Sequence, residues 1–225
     1  LDIRYLGFMF YPVYNFYFNK WFFQYAKDLG VFPSKFFARF VKPDLSKKWP
    51  QGYIRFLEDL KKAVEGEIFD TRKEMVAATK KIYEENGNDV GESSRIAMNF
   101  GARLSYLERD WTKEILMIHL EDLMEGKLSE ENRNLAGLLI DLSERERINL
   151  RKISEKKPLK VSFDVINWKK NKFRESLNSL KMPEKYIKFT TEKSQSLMIE
   201  GVQKRFASYN DIDYYHAAME SIRPR

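Results

Sequence analysis

The side chains that could form a binding site in this chain lie after residue 160. We expect them to flank two C-terminal strands and to lie on a final helix, where they would contact a substrate or a partner: Asp164, Trp168, Arg205, Tyr209 and His216. Three of them also have ordinary structural interpretations: Trp168 as a core residue, Asp164 as a turn or cap residue, and Arg205 as a surface or ion-pair residue. The pattern predicts no catalytic residue.

Several chemistries are excluded by residue types that the sequence lacks. It has no cysteine, so a disulfide framework, a zinc ribbon, a cysteine-ligated iron–sulfur cluster and a cysteine nucleophile cannot form within it. Its two histidines, His119 and His216, show neither HExxH spacing nor the ExxH pairs of a di-metal helical bundle. His119 is predicted to be a hydrogen-bonded core residue, because leucine and isoleucine residues surround it at helical spacing. We predict no metal site and no cofactor within this chain.

Glycine-based catalytic motifs are also missing. The sequence contains neither of the phosphate-binding patterns GxxxxGKS/T and GxGxxG, and it lacks the GxSxG nucleophile elbow. An active site built from dispersed carboxylates would leave no such trace. An enzyme of that kind therefore stays open as an alternative.

Composition predicts a folded, mixed-charge protein. The 225 residues are 43% hydrophobic and 15% aromatic, which is ample for a buried core. The net charge of +7 permits a polyanionic partner such as nucleic acid, and the densest basic cluster is Lys169, Lys170 and Lys172. Acidic residues are interspersed with the basic ones throughout, so a solvated surface is the favoured interpretation and nucleic-acid binding is the alternative.

Helical periodicity dominates the first two thirds of the chain. Apolar residues at helical spacing, with glycine or proline at the breaks, predict helices over the following ranges: 15–29, 35–40, 53–64, 70–86, 92–109, 112–125 and 129–157. The helix that follows Asp70 is predicted to bury Met75, Val76, Thr79, Ile82 and Tyr83, and Ser129 is predicted to cap the longest helix, whose second half should be solvated.

Alternation replaces this periodicity after Pro158. Residues 159–168 and 186–190 are predicted strands, with helices over 169–180, after Thr190 or Thr191, and from Asn210. The predicted fold class is mostly α, a multi-helix orthogonal or bundle domain with one or two short strands near the C-terminus. We expect an aromatic-rich helical segment (1–42), a central helical bundle (43–157) and a strand-helix-strand-helix region (158–225), packed as one compact unit.

The segment Tyr5–Phe23 is almost continuously apolar and densely aromatic. A membrane span is disfavoured because Pro12 interrupts the segment and Asn15 and Asn19 are internal to it, and no signal-peptide pattern is present. Three interpretations stay open: burial in this chain's own core, contact with a protein or an upstream domain, and contact with a membrane surface. Because the chain begins at Leu1 without methionine, we expect a preceding part, and we expect a cytoplasmic location.

The order of residues after Val161 resembles the C-terminal region of cobalamin-binding radical S-adenosylmethionine enzymes. The similarity covers about the last quarter of the chain, and the residues that carry it are Phe163, Asp164, Val165 and Trp168, then Tyr186, Phe189, Thr191 and Glu192, then Arg205, Tyr209 and Arg223. The family's CxxxCxxC motif is absent, as is a visible cobalamin-binding histidine motif.

The resemblance implies a non-catalytic accessory domain that caps an active site or holds substrate. The catalytic part, with S-adenosylmethionine, an iron–sulfur cluster and cobalamin, would then lie upstream in the same polypeptide. The alternatives are a self-contained helical protein–protein interaction module that uses the Tyr5–Phe23 segment, and a basic helical nucleic-acid-binding domain.

Overall fold

Helices and a two-stranded antiparallel sheet form the described part of the protein in the computed structural model, which covers residues 5–10, 18–66, 68–86, 92–147, 156–190 and 193–205. The strands are β1 (Leu159–Phe163) and β2 (Lys181–Ile187). The helices are α1 (residues 5–10), α2 (Lys20–Asp28), α3 (Pro33–Val41), α4 (Gln51–Glu65), α5 (Arg72–Asn86), α6 (Glu92–Ala102), α7 (Arg109–Leu123), α8 (Glu130–Glu146), α9 (Val165–Lys170) and α10 (Lys193–Arg205). The predicted mostly α fold class with short strands near the C-terminus is confirmed.

The aromatic residues of the N-terminal region meet between α2 and α3. Gly30 follows the end of α2 with φ of +82°, a conformation that glycine adopts without strain. Pro33 then begins α3, at a position where a helix needs no amide donor. Rings from the two helices pack edge to face, with the centroids of Phe23 and Phe36 5.2 Å apart. Both side chains are fully or almost fully buried.

Several side chains in the described part of the Tyr5–Phe23 segment are therefore buried in the core. Met9, Phe18, Trp21, Phe22 and Phe23 are at most 4% exposed and belong to the same apolar cluster as residues of α4, α7 and α8. These side chains cannot serve as a contact surface while the core is intact. Residues 11–17 of the segment lie outside the described residues.

α7 is the helix around which the central part is packed. It contacts α3, α4 and α8, and its buried face includes Ile115, Leu116 and His119. The sequence predicted this helix over 112–125, whereas it begins at Arg109. The preceding predicted helix over 92–109 also ends early, because a π-helical turn, Arg103–Leu107, replaces its last part.

α8 begins where the sequence predicted. The Ser129 side chain accepts a hydrogen bond from the Asn132 amide at 3.2 Å, and Glu130 and Glu131 occupy the first turn, where the helix dipole favours acidic residues. The helix packs along α2, and it ends at Glu146. Residues 148–155 of the longer predicted helix lie outside the described residues.

The two strands form an antiparallel two-stranded sheet. Leu159, Val161 and Phe163 of β1 are buried, as alternation predicted, and Leu159 is paired with Ile187. The register shifts between Val161 and Phe163, opposite the part of β2 that contains Pro183. Proline has no amide proton to donate to the neighbouring strand, so Pro183 is compatible with this irregular part of the sheet.

Two predictions for the C-terminal region are wrong. The strand predicted over 159–168 ends at Phe163, and Trp168 lies in the helix α9. The helix predicted over 169–180 is not formed: α9 ends at Lys170, and a 3₁₀ turn, Leu177–Leu180, leads into β2. β2 also begins at Lys181, five residues before the predicted start of the second strand.

α5 is formed as predicted, but its expected burial is not. The predicted range 70–86 contains the observed helix, yet Met75 and Val76 are 45% and 53% exposed. Ile68, just before the helix, is 44% exposed. The side chains of Ile82 and Tyr83 lie outside the described set. The amphipathic pattern thus predicted the helix correctly, but it predicted the burial of Met75 and Val76 incorrectly.

Candidate functional site

Two of the residues predicted to form a site, Asp164 and Trp168, have local structural partners. The Asp164 carboxylate caps α9 by accepting a hydrogen bond from the Asn167 amide at 3.0 Å. Trp168 is fully buried, and its indole Nε1 donates to the Glu175 carbonyl at 2.8 Å. These contacts agree with the structural interpretations of the two residues, as a cap and as a core residue.

The other three predicted site residues are not brought to this place by described contacts. Arg205 is exposed at the C-terminal end of α10. Tyr209 and His216 lie outside the described residues. Because two of the five residues are not described, their assembly into one site stays a prediction.

Trp168 nevertheless borders a cluster of charged groups at the end of α8. Its ring lies 6.2 Å from that of Trp21, centroid to centroid. The Trp21 indole Nε1 donates to Glu146 Oε2 at 2.5 Å, and Lys169 Nζ is paired with Glu146 Oε1. The rings of Trp21 and Trp168 thus pack beside the last turn of α8.

The next residue, Arg147, is the nearly buried centre of a polar cluster. Its Nη1 lies 3.1 Å from Glu144 Oε1 and donates to the carbonyl of Ser105 in the π-helical turn. Arg109 Nη2 contacts the second oxygen of Glu144 at 2.6 Å, and Lys156 Nζ donates to the Arg147 carbonyl. We call Ser105, Arg109, Glu144, Arg147 and Lys156 the Arg147 cluster.

Two polar atoms of the Arg147 cluster are buried without a hydrogen-bond partner in the described structure: Nη2 of Arg147 and Oγ of Ser105. The Arg147 side chain is 9% exposed and Ser105 is fully buried. Rings of Phe18 and Tyr106 lie over the guanidinium at 5.9 and 5.7 Å. Buried donors normally have acceptors, so these two groups are a polar anomaly, as are Asn19 Nδ2 and Oδ1 and His119 Nδ1 elsewhere in the described chain.

Electrostatics in the cluster disfavour its own cations. Burial lowers the pKa of the Arg147 guanidinium from its usual value, and neighbouring Arg109 lowers it further, against the opposing effect of Glu144. Burial likewise lowers the pKa of Lys156, and Arg109 and Arg147 add to the effect. Burial, more than the neighbouring cations, is the main cause of both shifts.

Sequence reasoning missed these residues because the stretch that contains Glu144, Glu146 and Arg147 is highly charged. Such a stretch at the end of an amphipathic helix ordinarily predicts a solvated surface. The burial of Arg147 depends on the π-helical turn and on Phe18, which are distant in sequence. Lys156 lies close to the predicted end of the helix, so no periodicity marked it.

A second candidate site is an apolar groove beside α4. Its volume is about 600 Å³, and it lies between α1, the segment after α3 and one side of α4. Apolar side chains supply most of the lining: Val41, Pro43, Leu45, Ile54, Leu57 and Leu60. Leu45 is 77% exposed at its edge. We call this feature the α4 groove.

Charged residues of both signs stand around the α4 groove. Lys42, Glu58, Lys61 and Glu65 are among its lining residues. Lys61 and Glu65 form an i,i+4 pair with 3.9 Å between Nζ and Oε1. The groove therefore combines an apolar floor with a mixed-charge rim.

Within the described ranges, no three histidine, aspartate or glutamate side chains are arranged so that they could hold a metal ion. A search of the same ranges finds no helix with both the length and the apolar character needed to cross a membrane.

Comparison with known proteins gives no relative. No family model, no curated protein sequence and no solved structure matches this chain.

Proposed function

We propose that this chain is a helical accessory domain that works by binding an amphipathic helix of a partner in the α4 groove. The observation that supports this proposal is the groove itself, an apolar trough with an exposed leucine at its edge. Exposed apolar surface of this kind, rimmed by polar residues, is typical of interaction sites. Aliphatic side chains provide contact area for an apolar stripe and few groups that would recognise a polar ligand.

A helix fits the groove in length and in chemistry. The lining residues Ile54, Leu57, Lys61 and Glu65 follow one side of α4 over twelve residues, the first and last of which are separated by eleven helical steps. At 1.5 Å per residue, this side extends over roughly 16 Å, or about three helical turns. A partner helix of similar length would place apolar residues at i, i+3 and i+7 on the floor, and its flanking charges would meet the mixed-charge rim.

The resemblance of the last quarter of the chain to cobalamin-binding radical S-adenosylmethionine enzymes suggests where the partner helix comes from. In that version of the proposal, the helix belongs to an upstream catalytic part of the same polypeptide. S-adenosylmethionine, the iron–sulfur cluster and cobalamin would be held there. The alternative is a separate protein, with this chain as a self-contained interaction module.

Site-specific photo-crosslinking tests the groove. A benzophenone amino acid replaces Leu45, and the matched control replaces Leu197, which is 60% exposed on α10. We expect irradiation of cells that naturally produce the protein to give crosslinks from position 45 to one amphipathic segment, mapped by mass spectrometry. Crosslinks that are absent, or equally distributed from positions 45 and 197, would contradict the proposal.

The identity of the crosslinked segment separates the two versions. A segment N-terminal to Leu1 in the same polypeptide supports the accessory domain, and a segment of another polypeptide supports the separate module. Sequencing of the parent gene is an independent test. A CxxxCxxC motif upstream supports the radical S-adenosylmethionine version, and a start codon directly before Leu1 refutes it.

A further inference from the structure

The Arg147 cluster differs from an ordinary ion-pair network because two of its buried polar groups, which come from different elements, lack a hydrogen-bond partner. Arg147 follows α8, and Ser105 lies in the π-helical turn. They are adjacent because Arg147 Nη1 donates to the Ser105 carbonyl. The remaining guanidinium nitrogen, Nη2, and the Ser105 hydroxyl are both buried without an acceptor in the described structure. Single-turn π-helices are rare, and they occur frequently at functional sites.

The unmet groups define the kind of ligand that fits. A guanidinium N–H is a donor only, and a serine hydroxyl can donate. A ligand that satisfies both must therefore offer at least two acceptor lone pairs. A carbonyl, a water molecule or an oxyanion meets this requirement, whereas a cation does not.

Charge distinguishes among these ligands. Two carboxylates, Glu144 and Glu146, stand near four cations: Arg109, Arg147, Lys156 and Lys169. An anion would compensate for this surplus of cations among the described residues, whereas a neutral water or carbonyl would leave it in place.

We propose that the Arg147 cluster binds a dianionic phosphate group, with Arg147 Nη2 and Ser105 Oγ donating to its oxygens and Lys156 compensating for its charge. Arginine suits this role because its planar N–H groups match the spacing of phosphate oxygens. Arg109, whose side chain is 43% exposed, and Glu144, which is 29% exposed, are members of the cluster that reach solvent. This proposal does not depend on the α4 groove.

Titration with inorganic phosphate at constant ionic strength tests the proposal. We expect saturable binding by isothermal titration calorimetry and a rise in the melting temperature that sodium chloride at equal ionic strength does not reproduce. Glycerol 3-phosphate, a phosphate monoester, is the second probe. Binding of both indicates a phosphate-group site, and preference for the monoester indicates that the natural ligand is a phosphorylated metabolite.

Variants locate the binding. Lys156→Met and Ser105→Ala remove one phosphate contact each without introducing bulk, and each should weaken phosphate binding by about tenfold. The matched control is Lys170→Met, an exposed lysine on α9, which should leave the affinity unchanged. Circular dichroism confirms that each variant is folded before its affinity is compared.

Three outcomes would overturn the proposal. The first is an absence of saturable phosphate binding, with a crystal structure that shows only a water molecule between Arg147 Nη2 and Ser105 Oγ. The second is an equal loss of affinity in Lys170→Met and Lys156→Met. The third is binding of a single-stranded oligonucleotide without binding of either small phosphate, which would favour the nucleic-acid alternative.

Discussion

The Nε2 atom of His119 lies 2.9 Å from the hydroxyl oxygen of Tyr53, and that hydroxyl donates to the Phe40 carbonyl at 2.5 Å. A tyrosine hydroxyl has one proton, so Nε2 must be the donor in its bond with Tyr53. Nδ1 then carries the lone pair, and it is buried without a partner in the described structure. The ring is stacked on Trp49 with 5.2 Å between centroids. His119 is therefore neutral, and burial is the main cause that lowers its pKa to about 4.

Acid should destabilise the protein through His119. In the unfolded chain the residue takes up a proton near its ordinary pKa of 6.5, whereas in the folded protein it does so near 4. The unfolded state binds more protons between these values, so the free energy of unfolding falls as pH decreases from 6.5 to 4 and this contribution is constant below 4. The full effect is about 3 kcal/mol.

Urea unfolding at a series of pH values measures this dependence. His119→Gln retains a donor for Tyr53 but does not titrate, so its stability should vary less between pH 6.5 and 4. His216→Gln removes the other histidine of the chain and shows how much of the profile comes from that residue. An unchanged slope in His119→Gln would mean that His119 is not the group responsible.

Gly52 should not tolerate a methyl group. A Cβ at this position would lie 2.5 Å from Trp111 Cδ1 and 2.7 Å from its Nε1. The indole cannot easily move, because it is 6% exposed and Nε1 donates to Glu108 Oε2 at 3.0 Å. Gly52→Ala should therefore lower the free energy of unfolding by about 1–3 kcal/mol.

Gly137 on α8 provides the control for Gly52. Apart from its chain neighbours and the nearby backbone of its own helix, no atom lies within 4 Å of the place that its Cβ would take. Gly137→Ala should raise the free energy of unfolding by about 0.5–1 kcal/mol, because alanine favours the helix interior. Equal effects of the two substitutions in urea titrations would argue against the close contact with Trp111.

Asp164 should behave as a helix cap. Replacement by alanine removes the acceptor for the Asn167 amide and should cost about 1 kcal/mol. Asp164→Asn keeps an acceptor and should stay within a few tenths of a kcal/mol of the wild type. If thermal unfolding shows the two variants to be equally destabilised, the negative charge matters and the capping role is insufficient.

The exposed face of α5 should accept charge. Met75→Lys and Val76→Lys should each change the free energy of unfolding by less than about 0.5 kcal/mol, because neither side chain has a buried environment to lose. Leu60→Ala on α4, where the side chain is 1% exposed, is the contrast and should cost about 2–5 kcal/mol. A loss above 2 kcal/mol in either lysine variant would show that α5 packs against the core.

Local sequence signals predicted the elements that depend on local interactions. The range 53–64 falls within α4, and Ser129 caps α8, because periodicity and a side-chain cap act within a few residues. The strand predicted over 159–168 is wrong after Phe163, and the cause is again a local interaction. The Asp164 cap begins a helix where the alternation alone still favoured a strand.

Long-range packing determined what the sequence could not predict. The charged end of α8 gave no sign that Arg147 would be buried against a π-helical turn more than forty residues away in sequence. The apolar residues of α5 predicted a helix with one buried face, but they did not show whether another element would cover that face. The predicted boundaries at 42/43 and 157/158 stay predictions, although one apolar cluster includes residues from each of the three segments.

The four tryptophans of the chain are at most 6% exposed and stand in two pairs. Trp49 and Trp111 both lie 5.5 Å, between ring centroids, from Tyr53, while Trp21 and Trp168 lie together beside the end of α8. The protein thus carries two native fluorophore pairs. One lies in the centre of the helical part, and the other lies between α2 and α9, near the two-stranded sheet. With either pair replaced by phenylalanine, the emission of the other reports the melting of its own neighbourhood, and a shared core requires the two signals to change together.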